Sequence, residues 1–175
     1  DKIVGTVSYI GRLMGSLNIY ISEPFARVMT ATMLGVSIDE IKGYADVKDV
    51  VSEVCNIVGG NLKSGLNDAG HRCVISTPSI TYGTDFTIKS PQMERLENFI
   101  FTYQENYFFV EVGLNPEQAA SAGDELGQTE MHIQPNSAEA VKIDRLDLNT
   151  RVSEAVIDVF DTMLSLKLEP DDADS

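Results

Sequence analysis

Basic residues are scarce in this chain. Lys and Arg number 13 against 27 Asp and Glu, a formal net charge of −14, and the pI is near 4.4. Such a surface repels nucleic acid and anionic membranes, so neither is an expected partner. It tolerates a partner with basic groups around its own active site. Histidine and cysteine are scarcer, at two each. His71 and His132 sit in or beside loops with no Ser or Cys motif next to them, which argues against a nucleophile–histidine triad. Two His and two Cys at scattered positions fit no zinc spacing, so no metal centre is expected. Cys55 and Cys73 fall in apolar-patterned segments and read as buried free thiols in a reducing, cytoplasmic compartment. Apolar runs fall well short of the roughly 18 residues that a spanning helix needs. No charged start followed by an apolar stretch opens the sequence, and no signal peptide is expected.

What is present is ordinary for a globular protein. The 175 residues are 43% hydrophobic and 23% charged, enough for one domain with a sizeable core. Residues 2–10 are rich in β-branched residues and read as a strand. Gly11 to Gly15 reads as a turn, and Ser16 to Ile21 as the hairpin partner. Ser22 is a good helix N-cap with Glu23 and Pro24 behind it, and Gly35 a good C-cap. A short helical turn is expected over Ile38 to Lys42. Residues 72–77 read as a strand ended by Pro78, and Ile80–Tyr82 and Phe86–Ile88 as strand-like. Asn98–Gln104 and Tyr107–Leu114 read as two strands joined at Glu105–Asn106. The expected fold is α+β, a mainly antiparallel sheet with amphipathic helices on one face.

The longest helical pattern runs from about Asp46 to Asn67. At about 100° per residue one arc takes Val47, Val50, Val51, Val54, Val58 and Leu62, an apolar stripe for a core. The opposite arc takes Asp49, Glu53, Asn56, Gly60, Lys63 and Asn67. The ordinary reading of such an arc is a solvated face. Against it stand Gly59 and Gly60, each costing roughly 1 kcal/mol relative to Ala inside a helix. They read as clearance for another surface approaching Asn56. Asn61 falls toward the apolar side and is expected to be a buried amide bonded to a neighbouring loop.

A carboxylate and a carboxamide three residues apart share one helix face. Asn is a poor base, but its donor and acceptor can hold a water. That suits hydrolysis of an activated acyl phosphate, which needs positioning more than strong base chemistry. The run Gly59–Ser64 is a near miss of a phosphate-binding loop. It has Leu62 where Gly is needed, and it lies in mid-helix.

These residues resemble the CheC/CheX/FliY family of chemotaxis phosphatases. The family motif is Ser or Asp, then Glu four residues on, Asn three further, and Pro about twenty-one residues later. Asp49, Glu53, Asn56 and Pro78 meet it. The stretch Asn56–Ser64, the first hairpin and the segment from Ser22 to Gly35 also have the family's look. With one intact motif, the chain is most similar to CheX. The resemblance implies a phosphatase acting on the phosphoaspartate of a CheY-like response regulator in two-component signalling. Glu53 would dock the regulator's lysine and Asn56 would orient the attacking water. Asp49, Gly60 and Lys63 would lie in the partner-binding face, with Asn61 and Pro78 as structural parts of the motif. The protein would need no cofactor of its own, since magnesium would sit on the regulator. A homodimer is implied by relatives that pair through sheet edges. The alternative is a non-catalytic regulator-binding or flagellar-switch module using the same face.

The resemblance covers residues 1–114, with 115–150 expected as a linker containing at most a short helix. Arg151 to Leu168 is amphipathic, with Val152, Val156, Val159, Phe160, Met163 and Leu164 on one side. Glu154, Asp158, Asp161 and Ser165 lie opposite, at the spacings of Asp49, Glu53, Asn56 and Gly60. It reads as a worn copy of the central helix, completing the fold from its own or a neighbouring subunit. Relatives carry such a helix before the first hairpin. The chain is therefore permuted, or holds the start of a second domain, or is not numbered in native order. Residues 169–175 form an acidic tail, expected to be mobile.

Overall fold

A computed structural model describes residues 1–88, 92–116 and 146–170. Two long strands, β1 (Lys2–Gly11) and β2 (Leu13–Ser22), form the opening hairpin. Their pairing ends at Tyr9 and Gly15. Beyond that point Ile10 and Gly11 turn to one neighbour, and Leu13 and Met14 to another. Helix α1 (Glu23–Leu34) starts at Ser22, whose hydroxyl accepts from the Phe25 amide. It stops at Gly35 in the left-handed region, φ 67°, where glycine has no Cβ penalty. A 3-10 turn over Ile38–Glu40 leads to α2 (Tyr44–Asp68).

Two short strands follow, β3 (Cys73–Ile75) and β4 (Ser79–Gly83). Both pair with β1, and the register slips by one residue between them. Tyr9 faces Ile75 and Thr6 faces Ser79, three residues on β1 against four on the other side. Ser76–Pro78 is therefore a bulge in one edge strand. Ser76 pins it: its amide donates to the Ser8 carbonyl at 2.9 Å, and its hydroxyl accepts from the Ser8 amide at 3.0 Å. Proline is tolerated there because a bulge needs no ladder donor. The bulge explains why the strand expected over 72–77 is short. Residues 86–88, expected as strand-like, are not in a strand.

Strands β5 (Arg95–Tyr103) and β6 (Asn106–Pro116) form a second hairpin, turning at Gln104–Glu105 with Gln104 at φ 52°. Helix α3 (Leu148–Leu164) is capped by Asp147, whose carboxylate accepts from the Thr150 amide. The last strand is β7, Glu169–Pro170, paired with Phe101 and Thr102 of β5. These two residues, expected in a mobile tail, therefore extend the sheet. Residues 171–175, most of the expected linker, and His132 lie outside the described residues.

Among the described residues the sheet has seven strands in the order β3-β1-β2-β6-β5-β7, with β4 also on β1, and every pairing is antiparallel. Period-two alternation sends Ile3, Val7, Tyr9, Leu17, Ile19, Phe108, Val110 and Val112 to one face. All are buried, together with the apolar sides of the three helices. Phe160 of α3 stacks on Phe108 of β6 at 4.8 Å and lies 6.4 Å from Phe25 of α1. Arg151 of α3 donates to the Gly65 carbonyl of α2 at 2.7 Å. The C-terminal helix thus packs against α2 within the same chain. On the opposite face Thr6 donates to Asn18, Asn18 donates to Glu111, and Tyr20 stacks on Phe109 at 4.2 Å.

Candidate functional site

The site is built on α2. Its inner face buries Val47, Val50, Val51, Val54, Cys55, Val58, Gly59, Leu62 and Leu66. That continuous burial fixes the rotation of the helix, so the outer arc cannot roll inward. Asp49, Glu53 and Asn56 are exposed, and Gly60 and Lys63 are half-buried. Glu53 and Asn56 are three residues apart, about 4.5 Å along the axis at 1.5 Å per residue.

The two glycines have different reasons. A Cβ on Gly60 would meet no atom within 4 Å. Its missing side chain leaves open space one turn beyond Asn56. A Cβ on Gly59 would lie 3.1 Å from Cγ1 of Val7. Gly59 is buried against β1, so it lets the helix sit close to the sheet. The expectation that both glycines give clearance is corrected at Gly59. The helical wheel carries this signal: Gly59 lies one turn from Cys55 on the buried side of the helix.

Asn61 is also corrected. It is half-exposed rather than buried, and its amide donates to Asp158 of α3 at 3.4 Å, not to a loop. The wheel angle put it at the seam with a second helix, a neighbour the local sequence cannot reveal. Asn67, on the polar arc, accepts the Cys73 amide at 3.0 Å and so ties the end of α2 to β3. Lys63 lies close enough to Cys73 to oppose the rise that burial imposes on its thiol pKa. Burial alone drives the Cys55 thiol up to about 12. Both cysteines are free and buried. Neither is a nucleophile at neutral pH, because the reactive form is the thiolate. Pro78 stands half-buried at the edge-strand bulge. A groove of about 950 Å³ runs between α2 and α3 alongside this face, with Asn61, Ser64, Arg151 and Asp158 among its walls.

Among the described residues no three His, Cys, Asp or Glu side chains cluster closely enough to hold a metal ion. No described helix is long and apolar enough to cross a membrane. What the geometry offers is a rigid, sheet-backed helix presenting a carboxylate, a carboxamide and a gap. This is an α+β protein whose candidate site is an exposed helix face rather than a closed pocket.

Known proteins match this description. The family described as chemotaxis phosphatase CheX matches residues 3–102. The chain belongs to that family. Similar solved structures include the chemotaxis protein CheX from Vibrio vulnificus, at 26% identity and a TM-score of 0.58, covering 65% of this chain and 75% of that one. CheX from Desulfovibrio desulfuricans is 27% identical with a TM-score of 0.59, covering 65% and 74%. A CheX–CheY–BeF3–magnesium complex from Borrelia burgdorferi shares the fold at 21% identity and a TM-score of 0.53, covering 64% and 75%. No curated protein matches the sequence.

Proposed function

We propose that this protein hydrolyses the phosphoaspartate of a CheY-like receiver domain in the cytoplasm. Glu53 pairs with a lysine of the receiver. Asn56 enters the receiver's active site and holds a water through its amide. The water oxygen forms a bond to phosphorus as the bond from phosphorus to the aspartyl oxygen breaks. The aspartate leaves as a carboxylate, and both water protons remain on the phosphate released. Positioning of this kind suits a neutral amide, since an acyl phosphate is already activated. Magnesium belongs to the receiver, in keeping with the Borrelia complex, which pairs CheX with CheY and magnesium. No step runs through a metal held by this chain.

The observation that carries the reading is the joint exposure of Glu53 and Asn56 beside the open space at Gly60. Asp49 and Lys63 flank them and form the rest of the docking face. Residues 1–114 form the core, and α3 completes it. A homodimer would use a sheet edge; among the described residues β7 covers β5 only at Phe101 and Thr102.

The test is phosphate release from a phosphorylated receiver panel. Asn56→Ala removes both groups that hold the water, so turnover should fall by a hundredfold or so with receiver affinity retained. Glu53→Ala should weaken docking. Equal turnover in wild type and Asn56→Ala would favour a non-catalytic binding module on the same face.

A further inference from the structure

We infer that Tyr9 is a positioning residue for Asn56, setting the height and rotation of α2 over β1. The inference rests on the role proposed for Asn56. Tyr9 is 1% exposed, and its hydroxyl donates to the Gly59 carbonyl at 3.2 Å. A mid-helix carbonyl already accepts the amide four residues on. The second lone pair of Gly59 is therefore used for an anchor that helix formation does not require. Burial raises the Tyr9 pKa far above neutrality, so the hydroxyl stays a donor at every working pH.

The anchor lies where α2 packs closely on β1. A Cβ on Gly5 of β1 would fall 2.1 Å from the Cys55 sulfur. A Cβ on Gly59 would fall 3.1 Å from Val7. Cys55 and Gly59 bracket Asn56 in sequence, so both close approaches act on the turn that carries it. The bulge at Ser76–Pro78 stands beside Val7, on the far side of β1 from β2. Ordinary carbon contacts lie at about 3.5–4.0 Å. At 3.1 Å, a methyl on Gly59 requires Val7 or the helix to give by a few tenths of an ångström. A misplacement near 1 Å can cost about a hundredfold in rate.

The experiment uses the full chain with Tyr9→Phe and Gly59→Ala. Tyr9→Phe keeps the ring and removes only the anchor, so the core stays filled. Two measurements are made: kcat and KM for phosphate release from a phosphorylated receiver, and the NMR resonances of the Asn56 side-chain amide. Tyr9→Phe should lower kcat by about tenfold with KM within about twofold, and Gly59→Ala should lower it further. Both should move the Asn56 resonances. A variant that merely loosened the fold would instead reduce the active fraction and leave the Asn56 resonances of the folded molecules unchanged. Wild-type kcat and unmoved resonances in Tyr9→Phe overturn the inference. If the wild type itself releases no phosphate, the phosphatase reading fails, and the Asn56 resonances alone decide whether Tyr9 positions that face.

Discussion

Substitution of Gly60 separates folding from function more cleanly than any other change on α2. In the interior of a helix Gly is about 0.8–1.0 kcal/mol less favourable than Ala. A Cβ at Gly60 meets nothing within 4 Å, so no packing loss offsets that gain. Gly60→Ala should therefore stabilise the protein by about 0.8–1.0 kcal/mol. For a chain of 175 residues this raises Tm by roughly 2–4 °C. Gly60→Leu should stabilise by nearly as much, because Leu is almost as good a helix former as Ala. Its side chain would occupy the space one turn from Asn56. The proposed reading then requires a variant that is more stable and yet has little phosphatase activity, through loss of receiver docking. Thermal denaturation and phosphate release from one preparation measure both. Full activity in Gly60→Leu would refute the claim that a partner comes close there. A lowered Tm in Gly60→Ala would refute the claim that the position is open. Gly59→Ala should stabilise less than Gly60→Ala, since its methyl meets Val7 at 3.1 Å.

Other substitutions test the frame that holds α2. Phe160→Ala removes a fully buried ring that stacks on Phe108 at 4.8 Å, and should destabilise by about 3–5 kcal/mol in urea denaturation. A loss below 1 kcal/mol would mean that α3 does not pack as described. His71 is 8% exposed; burial, and then the neighbouring Arg151, hold its imidazole below the ordinary range. The folded protein protonates it only at a lower pH than the unfolded chain, which takes up a proton as pH falls through about 6.5. Its contribution is therefore complete above that pH and is lost as pH falls below it. Urea midpoints at pH 7.5 and 5.5 should differ in the wild type and differ less in His71→Gln; an equal difference in both would contradict this sign.

Much of the fold was legible because its signals are local. Ser22 and Gly35 mark α1 by capping chemistry that involves only nearby backbone. The buried arc of α2 follows from helical periodicity, and every residue assigned to it is buried. The misreadings have non-local causes. The bulge at Ser76–Pro78 is a register slip against β1 and leaves no periodic trace. Strand β7 consists of Glu169 and Pro170, two poor strand formers held by Phe101 and Thr102 across the sheet. The roles of Gly59 and Asn61 depend on Val7 and Asp158, distant in sequence. On the polar arc the sequence could pair Glu53 with Asn56, but not show that Asn67 is spent on the Cys73 amide.

The same distinction bears on why α3, which repeats the spacing of α2, does not repeat its face. Glu154, Asp158, Asp161 and Ser165 stand at the spacings of Asp49, Glu53, Asn56 and Gly60. Three differences remove the equivalence. Asp161 has no amide donor where the water-holding group would be. Asp158, at the place of Glu53, accepts from Asn61 of α2 and so is drawn into the contact between the helices. Ser165 is no longer in the helix: α3 ends at Leu164, and Ser165 turns into the left-handed region at φ 51°. The turn that α2 keeps clear at Gly60 therefore does not exist on α3. The chain leaves that helix to reach Leu166 and Leu168, both buried, and then β7. Along α3, Phe160 goes to the core and Arg151 to the α2 carbonyl at Gly65. These contacts hold α2 from the side as β1 holds it from below. In the proposed reading the worn helix has become part of the support that keeps the single Asn56 face in place.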